Sequence, residues 1–477
     1  MTKNRSRTGI ALLCVLGLTA AACGGDDDET ADAPTTVEDT AEVTTPEATD
    51  APAPDATDAP APDATDAPAP EATDPPTTEP DPGAALEAIG LWDDGPCDPA
   101  LDPLKVGLIT VFESAVLTLG DQAVALEASA VAFNARGGAN GACIEVVTCD
   151  DGADPNKAVD CVRTLDEAGV AATVNDTTSF GSADVSAAMK AAGIPRFAIS
   201  PGQDDFGDTN SYPFDAGGTG TSVMMGQALV DAGVSKVAII RVDAPAAGAL
   251  KGFYEAIFTD NGITIVADLP VPGGTTDYSQ FILAAQAAGA EGVAMPIGGQ
   301  EGIQVLRAAQ QLDADLLYSG SLGTFPASDM ASLGDYASRV ILNAAVPPAG
   351  ADLPIIDQLV ADLEVTGEEI LQRPNMKSSP MRSWVGLYAL LKIVRESGTD
   401  DFSRESITAL IEGSGPIDMA GIMPDWTPKV DHPGIWLRAG GDYSFWAWDV
   451  AAEAFAKVSE SNWDVVICGT PFGGPCA

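Results

Sequence analysis

A run of polar residues with the capacity to bind a ligand lies between an apolar segment and a helical pattern. It extends from Asn175 to Ser182 and contains an amide, a carboxylate and four hydroxyl side chains. The apolar segment before it, Ala171 to Val174, predicts a strand, so the polar loop joins a strand end to a helix N-terminus. Backbone N–H groups and hydroxyls at such a position can hold an anionic or polar group. A Ser/Thr-rich helix cap that binds no ligand is the alternative interpretation.

Residue patterns typical of enzymes and metal sites are nearly missing. His432 is the single histidine, so no HExxH pair exists, and the chain contains neither a GxSxG elbow nor a Walker phosphate loop. Its neighbours Pro433-Gly434 indicate a surface turn. Asp150-Asp151-Gly152 and Asp154 resemble part of a calcium loop but lack its spacing, which favours a turn and a helix cap. We therefore predict no catalytic residue, no metal site and no cofactor.

The N-terminus has the pattern of an export signal. A basic start is followed by the apolar run Ile10 to Ala22, which is too short for a permanent membrane span and ends in small residues before Cys23. This arrangement is similar to the lipobox of bacterial lipoproteins, so residues 1–22 are predicted to be removed and Cys23 to carry lipid. An ordinary secretory signal is the alternative. The predicted location is the outer face of the cytoplasmic membrane, with the lipid as the only membrane contact.

Residues 23–103 are predicted to form an unfolded tether. No Lys or Arg occurs between Cys23 and Lys105, and an eight-residue Ala/Pro/Asp/Thr motif is repeated from Ala51 to Asp74. Proline and like charges favour an extended, unfolded chain. The repeats have no apolar face for stacking, which argues against a solenoid. The formal net charge of −47 excludes nucleic acid as a partner, because phosphate binding depends on Lys and Arg.

Six of the eight cysteines lie beyond the signal and Cys23: Cys97, Cys143, Cys149, Cys161, Cys468 and Cys476. An even number in an exported chain indicates disulfides, and six cysteines allow fifteen pairings. We favour Cys149 with Cys161, since one ends a strand and the other lies on the helix that packs back beside it. The pairs Cys97–Cys143 and Cys468–Cys476 follow by elimination. A zinc site is the weaker alternative, because the chain has no CxxC pair.

From Leu104 onward, short β-rich runs alternate with longer amphipathic runs. Asp154-Pro155 has the pattern of a helix start, and the helix it opens is predicted to reach Ala168. Another helix is predicted from Ser182 to Ala192. The residues from Thr427 to Val450 resemble a β-hairpin, and their tryptophans, Trp436, Trp446 and Trp448, are interpreted as core and hinge packing. The alternation predicts an α/β protein with parallel sheets covered by helices.

The number of strands is too large for one lobe, so we predict two doubly wound parallel-sheet lobes after the tether. The boundaries are lobe 1 at 104–214, lobe 2 at 215–344, a return to lobe 1 at 345–440, and a C-terminal hinge and lobe 2 segment at 441–477.

Several stretches are similar to the leucine/isoleucine/valine-binding proteins and the wider family of type I periplasmic solute-binding proteins. They are GDQAVALEASAVAFNARGG, CIEVVTCDDGADPNKAVDCVRTL, GIPRFAISP and TTDYSQFILAAQAAGAEGVAMPIGG, and the similarity covers nearly all of Leu104 to Pro348. The resemblance implies two lobes joined by a three-strand hinge, with the ligand in the cleft at the carboxyl ends of the strands. It implies a monomeric substrate-binding lipoprotein that delivers a small polar molecule to the permease of an ABC importer. A sensory receptor of the same fold and a secreted hydrolase are the alternatives.

The resemblance also assigns positions in the site. Ser179 matches the serine that binds the ligand carboxylate in the family, but Asp204 stands where amino-acid binders have threonine. The acid that pairs with the ligand ammonium corresponds to Leu322, and the tyrosines correspond to Ala247 and to Gly298 or Gly299. Both ends of a zwitterion would be poorly matched, because a buried charge needs a counter-charge. We therefore expect a neutral or cationic polar ligand, such as an amide, urea-like compound or polyol, and not leucine, isoleucine or valine.

The predicted ligand-binding residues are Phe112, Ser114, Ser179, Phe180, Gly202, Asp204, Ala247, Gly299, Gln300 and Leu322. Among them Asp204, Ser179 and Gln300 would supply hydrogen bonds, and Phe112 and Phe180 would form apolar walls.

Overall fold

The structure is a computed structural model that describes residues 82–114, 117–178, 181–202, 205, 207–244, 251–428 and 442–462. The predicted signal, the predicted lipidation site Cys23, the repeats, His432, Trp436 and the cysteines Cys468 and Cys476 lie outside the described residues.

Lobe 1 is built on a five-stranded parallel sheet in the order β2-β1-β3-β4-β5. Its strands are β1 (Leu104–Thr110), β2 (Ile144–Asp150), β3 (Ala172–Val174), β4 (Arg196–Ile199) and β5 (Ser211–Pro213). Its helices are α1 (Pro82–Glu87), α2 (Gly120–Asn134), α3 (Pro155–Ala168), α4 (Ser182–Ala192), α10 (Pro354–Glu364), α11 (Ser378–Ser397) and α12 (Arg404–Gly413).

Helices cover both faces of this sheet, and β1 shows why the sequence forms such a layer. Val106 and Leu108 are buried in the cluster that contains α2 and α11, whereas Ile109 is buried among α3 and α4. Successive side chains of a strand point to opposite faces, so a strand buried on both faces is apolar at every position. The continuous apolar run in the sequence is therefore the signature of this central strand.

Lobe 2 has a seven-stranded sheet in the order β7-β6-β8-β9-β10-β11-β12. Its strands are β6 (Lys236–Val242), β7 (Thr264–Val271), β8 (Gly292–Ala294), β9 (Leu317–Ser321), β10 (Val340–Ala344), β11 (Asp442–Asp449) and β12 (Ala454–Asn462). Its helices are α5 (Gly217–Asp231), α6 (Lys251–Asp260), α7 (Ser279–Ala287), α8 (Gly299–Gln311), α9 (Ala327–Ser332) and the short 3-10 helix Gly334–Arg339; a second 3-10 turn, Glu369–Leu371, precedes α11.

The predicted fold class, two doubly wound lobes, is confirmed. The strands from β6 to β10 are parallel, but β11 and β12 form an antiparallel hairpin at one edge of lobe 2. A hairpin was expected over residues 427–450, and the observed one spans Asp442 to Asn462. Trp446 and Trp448 are buried in the core, in agreement with their interpretation.

Local signals predicted individual helices well. The Asp154 carboxylate accepts a hydrogen bond from the Asn156 N–H at the start of α3, as its place before Pro155 indicated. Helix α3 ends at Ala168 and α4 spans Ser182–Ala192, both as predicted. Each is followed by a glycine in the left-handed conformation, which ends a helix at little steric cost.

The disulfides Cys149–Cys161 and Cys97–Cys143 are confirmed, with Cα–Cα distances of 5.6 and 5.1 Å. The first joins β2 to α3 across a sequence separation of 12 residues, and the second joins the segment before β1 to β2 across 46 residues. The third predicted pair, Cys468–Cys476, lies outside the described residues and stays a prediction.

Residues 82–103, which the composition assigned to the unfolded tether, are packed on lobe 1. Trp92 stacks on Phe133 and Tyr388, with ring centroids 5.5 and 6.2 Å apart, and the Tyr388 hydroxyl donates to the Gly90 carbonyl. Aromatic stacking and a disulfide at Cys97 offset the entropy of ordering this segment. The acidic composition before Trp92 gave no indication that an ordered segment begins there.

Along the described residues, the chain changes lobe three times. It leaves lobe 1 after β5 through residues 214–216, and it returns after β10 through residues 345–353. The third passage runs from the region after α12 to β11, and its residues 429–441 lie outside the described part. Short connections between two lobes can absorb the backbone changes of a hinge motion.

Candidate ligand-binding site

The loops at the carboxyl ends of the central strands form the candidate site. In lobe 1 the strand order reverses direction between β1 and β3, and in lobe 2 it does so between β6 and β8. Ligands of open α/β sheets bind outside the carboxyl ends of strands at such switch points. The predicted residues Phe112, Ser114 and Gly299 lie in or beside the loops that follow these strands.

The loop after β1 is held by backbone contacts that place Phe112 and Ser114. Phe112 donates its N–H to the Asp150 carboxylate at 2.9 Å, and its carbonyl accepts the Gly120 N–H at 3.1 Å. Ser114 closes a small turn, because its hydroxyl donates to the Leu117 carbonyl at 2.9 Å and its N–H donates to the same carbonyl at 3.0 Å. Both side chains are half-buried, so they line the edge of the lobe without being sealed into its core.

A buried glutamine connects three elements beneath the site. The Gln122 side-chain carbonyl, at the start of α2, accepts hydroxyl hydrogen bonds from Thr110 at 3.1 Å and Thr177 at 3.2 Å. Its amide donates to Ser379 of α11 at 2.8 Å. Gln122 is 2% exposed, so its hydrogen bonds are formed away from bulk water. The network fixes the ends of β1 and β3 against both helices.

A buried ion cluster lies under the two loops that follow β3 and β4. Arg196, in β4, contacts Asp176 of the first loop at 3.4 Å and Asp205 of the second loop, and the three side chains are fully buried. Its guanidinium also donates to the Thr178 hydroxyl at 2.8 Å. The Asp205 carboxylate accepts the Gly202 N–H at 2.8 Å. One guanidinium thus bonds to both loops.

Burial sets the protonation preferences in this cluster. Desolvation raises the pKa of Asp176 and of Asp205, and the charge of Arg196 only partly opposes this effect. For Arg196, burial lowers the pKa, but the Asp205 and Asp176 carboxylates more than compensate and leave it raised. Two acids share one base, so the arginine stays charged.

Two residues of this region have a left-handed backbone. Asn175 has φ of 61° and Ala198 has φ of 51°. Asparagine tolerates this conformation, whereas for alanine it costs about 1–2 kcal/mol. Ala198 lies at the irregularity in the pairing of β4 with β5. Strained backbone at the base of a binding loop is held in place by the surrounding hydrogen bonds.

On lobe 2, Gly299 begins α8 in a position that only glycine fits. A Cβ atom there would lie 2.2 Å from the Thr324 carbonyl oxygen. Gln300, the next residue, is exposed at the helix start. Leu322, by contrast, is only 1% exposed, and its N–H donates to the Asn343 carbonyl at 2.9 Å. The structure therefore places Gln300 where a solute can reach it and Leu322 within the core.

Residues 374–379 of lobe 1 make direct contacts with lobe 2. The Ser328 N–H donates to the Pro374 carbonyl at 2.8 Å, and the Ser378 N–H lies 3.5 Å from the Leu322 carbonyl. Lys377, between them in sequence, pairs with the buried Asp121 at 3.0 Å. Leu322, which the resemblance matched to the family's ammonium-binding acid, therefore contacts a segment of the opposite lobe.

The predicted residues Ser179, Phe180, Asp204 and Ala247 lie outside the described residues, and their roles stay predictions. Gly202 is described and lies beside Ser182. A Cβ atom added at Gly202 would lie 3.0 Å from the Cβ atom of Ser182. The sequence interpretation missed Gln122, Arg196 and Arg382. The signal for Arg196 was a basic residue inside an apolar strand, in the sequence Pro195-Arg196-Phe197.

Within the described ranges, no group of three or more His, Cys, Asp or Glu side chains has a geometry that could hold a metal ion. In the same part of the chain, none of the helices combines the length and apolar character that a membrane span needs.

Residues 103–435 match the family model described as periplasmic binding protein. The chain belongs to the periplasmic binding protein family. This binding protein is 27% identical over 207 residues to Leu/Ile/Val-binding protein homolog 7 of Brucella suis biovar 1 (strain 1330), a match that covers 40% of the chain and 52% of that relative. The homologue from Brucella abortus (strain 2308) matches with the same values. The chain thus spans about half the length (52%) of the curated relatives it matches.

Solved structures share the fold of this binding protein. A fatty acid ABC transporter substrate-binding protein from Thermomonospora curvata has a TM-score of 0.65 at 16% identity, covering 80% of this chain and 97% of its own. A solute-binding protein of an ABC transporter from Rhodopseudomonas palustris HaA2, in complex with p-hydroxybenzoic acid, has a TM-score of 0.61 at 14% identity, covering 76% and 97%. A possible leucine/isoleucine/valine-binding protein from Rhodopirellula baltica SH 1 has a TM-score of 0.60 at 17% identity, covering 79% and 100%.

Proposed function

We propose that this binding protein captures a neutral or cationic polar solute in the cleft between its lobes and delivers it to an ABC importer. The observation that carries the proposal is the charge of the loops after the switch-point strands. Residues 111–119, 175–181, 243–250 and 295–298 include three acids, Glu113, Asp176 and Asp243, but no Lys or Arg. An anionic ligand would be buried there without a cationic side chain from these loops, which is costly.

Three basic side chains beside these loops, Arg196, Lys377 and Arg382, are already paired with carboxylates. Lys377 contacts Asp121 at 3.0 Å, and Arg382 bonds to both carboxylate oxygens of Asp215. Taking either cation for a ligand would leave a buried carboxylate unpaired, since Asp121 and Asp215 are each at most 3% exposed. This pairing supports a ligand without a full negative charge.

The start of α8, at the same edge, favours a carbonyl oxygen. Helix α8 begins at Gly299 with no side-chain cap, so its first N–H groups suit an acceptor from a ligand. The exposed carboxylates of Glu113 and Asp243 can accept hydrogen bonds from donor groups of a ligand. A molecule with both a carbonyl and N–H groups, such as an amide or urea-like compound, would match both features.

The proposal is tested by thermal shift with a panel of leucine, isoleucine, valine, acetamide, urea, glycerol, putrescine, 4-hydroxybenzoate and a fatty acid. A specific ligand raises the free energy of unfolding by about 2.7 kcal/mol at a hundredfold excess over Kd, and so raises Tm by mass action. We expect stabilisation by an amide, polyol or polyamine. Stabilisation only by the branched-chain amino acids, 4-hydroxybenzoate or the fatty acid would refute the proposed ligand class.

A matched pair of variants separates the site from general charge effects. Asp243→Asn removes a carboxylate after β6 and should weaken the stabilisation by a cationic hit. Glu291→Gln removes a carboxylate at the opposite end of the same sheet, where Glu291 accepts from Ser235 at 2.8 and 2.7 Å, and should leave the hit unaffected. Equal effects of the two substitutions would place the ligand elsewhere.

A further inference from the structure

Arg196 lies beneath the candidate site, and its side chain is closed off from solvent. Its side chain is fully buried within a sheet, an unusual place for a guanidinium. It bonds to Asp176 and Thr178 of the loop after β3 on one side, and to Asp205 of the loop after β4 on the other. Both loops border the candidate site.

Each carboxylate of the cluster bonds in turn to backbone N–H groups. Asp176 accepts the Ile109 N–H of β1 at 2.9 Å and the Thr173 hydroxyl at 2.5 Å. Asp205 accepts the Gly202 N–H at 2.8 Å. The two loops also bond to each other and to β1, because Ser200 donates its N–H to the Asp176 carbonyl at 2.9 Å and Thr177 donates to the Ile109 carbonyl at 3.1 Å.

The cluster buries two acids with one base, and the desolvation of these groups offsets much of what their attraction contributes to the stability of the core. Replacing buried ion pairs by apolar groups is often neutral or stabilising, and what such groups can supply is a fixed arrangement. The left-handed backbones of Asn175 and Ala198 flank the same cluster. Bonds from a rigid guanidinium fork are suited to hold strained loops in one geometry.

We propose that Arg196 is a positioning residue that fixes the two ligand-binding loops of lobe 1 from beneath, without touching the ligand. This inference rests on the proposed function for the meaning of the loops, but the anchoring itself does not depend on the ligand class. A lysine at position 196 would keep the charge, yet its single ammonium cannot bond to both carboxylates and to Thr178 at once.

The test is amide hydrogen exchange of the full chain without ligand, resolved at Thr177, Ser200 and Gly202. In Arg196→Lys we expect exchange at these amides to rise about tenfold or more, because local opening then needs less free energy. In Asp205→Asn only the second loop loses its bond to Arg196, so the Ser200 amide, whose acceptor is the Asp176 carbonyl, should exchange faster while the Thr177 amide keeps its protection.

Arg136→Lys is the matched control. Arg136 pairs with Asp362, both side chains are nearly buried, and the pair lies beyond the C-terminal end of α2, whereas the site lies at its start. This substitution should leave Thr177, Ser200 and Gly202 protected, even where it lowers Tm as much as Arg196→Lys does.

Unchanged protection in Arg196→Lys, or the same increase at all three amides in both arginine variants, would overturn the proposal. If Arg196→Lys does not fold, Asp205→Asn alone decides. Faster exchange at Thr177 as well as Ser200 would show general loosening, and unchanged exchange at Ser200 would show that the bond to Arg196 does not hold the second loop. A failed ligand screen leaves this exchange result unaffected, so the two proposals fail separately.

Discussion

Arg382 connects the hinge to the candidate site through a salt bridge with Asp215. The guanidinium bonds to both oxygens of Asp215, which lies in the first passage between the lobes, and it lies 4.5 Å from the ring centroid of Phe214. Its Nε donates to the Asn175 side chain at 3.3 Å, within the loop after β3. One side chain on α11 therefore bonds to a hinge passage and to a binding loop.

Asp215→Asn is expected to lower the free energy of unfolding by about 3 kcal/mol, because it leaves the mostly buried Arg382 without its counter-charge. Chemical denaturation measures this loss. Asp315→Asn is the control, since its side chain is 92% exposed and its partner Arg339 is 35% exposed, and loss of such a surface pair should cost about 1 kcal/mol or less. Equal losses would contradict a special role of burial at the hinge.

Asp151 is expected to make stability depend on pH. Burial raises the pKa of its carboxyl, the Ala153 N–H opposes the shift, and the charges of Asp150 and Asp176 add to it. The folded state then holds the proton more tightly than the unfolded state, so this contribution is complete below the ordinary value of about 3.9 and is lost as pH rises through the folded pKa. Asp151→Asn should therefore gain stability relative to the native chain between about pH 4 and pH 7.

Asp154→Asn is expected to change the pH dependence of stability in the opposite direction. The Asn156 N–H lowers the pKa of the Asp154 carboxyl, so its contribution is present above the ordinary aspartate pKa and is lost as pH falls through the lowered value. Urea titrations from about pH 3 to pH 7 measure the two variants, because the Asp154 contribution is lost only below the ordinary aspartate pKa. A difference that does not change with pH in Asp151→Asn, or the same trend in both variants, would disprove the assignment.

Gly299→Ala should destabilise the start of α8 against the loop after β9. The added Cβ would lie 2.2 Å from the Thr324 carbonyl oxygen, and such overpacking costs about 1–3 kcal/mol. Gly298→Ala is the control, because its Cβ would meet only the flexible end of Glu301 at 2.9 Å. Thermal denaturation compares them, and a Gly299→Ala chain as stable as Gly298→Ala would show that the loop moves freely.

Removal of the Cys149–Cys161 disulfide by serine substitution is expected to cost about 3 kcal/mol, the chain-entropy value for a short loop. The Cys97–Cys143 disulfide closes a longer loop, with a separation of 46 residues, and its removal should cost about 4 kcal/mol. The second variant should also become sensitive to protease before Leu104. A smaller loss for Cys97–Cys143 than for Cys149–Cys161 would mean that packing around Trp92 already holds that segment.

Cys23→Ala tests the predicted lipid anchor. The variant should appear in the medium with Tm and solute binding unchanged, because the substitution lies far from the folded residues in sequence. Fractionation of cells that produce the native chain and the variant gives the result. Variant protein that stays in the membrane fraction would contradict lipidation at this cysteine.

Local sequence patterns were sufficient for the lobes but not for the site. Helix α4 was predicted to the residue, because its glycine stop and the following Pro195 act within a few positions. The Arg196 cluster joins residues 176, 196 and 205, which meet only because β3 lies beside β4 in the sheet. Pairing between distant positions is set by strand order, which a single sequence does not contain.

In the segment before β1, the sequence led to the wrong prediction of an unfolded chain. Composition alone extended the unfolded tether to residue 103, since the absence of Lys and Arg continues that far. Trp92 and Cys97 were the local signals that a folded segment had begun, and both act through partners far along the chain, Tyr388 and Cys143. Long-range contacts of this kind outweigh the average composition of a segment.

The attachment of residues 82–103 also determines how a mechanical load would enter the molecule. Tyr388 and Phe133, on which Trp92 stacks, and Cys143, to which Cys97 is bonded, all belong to lobe 1. A pull on the chain before Pro82 would therefore be carried into one lobe by a covalent bond and would end there. No force from that direction would pass through Asp215 and Arg382. Lobe 2 can therefore move about its connections to lobe 1 without opposing a load on the chain before Pro82.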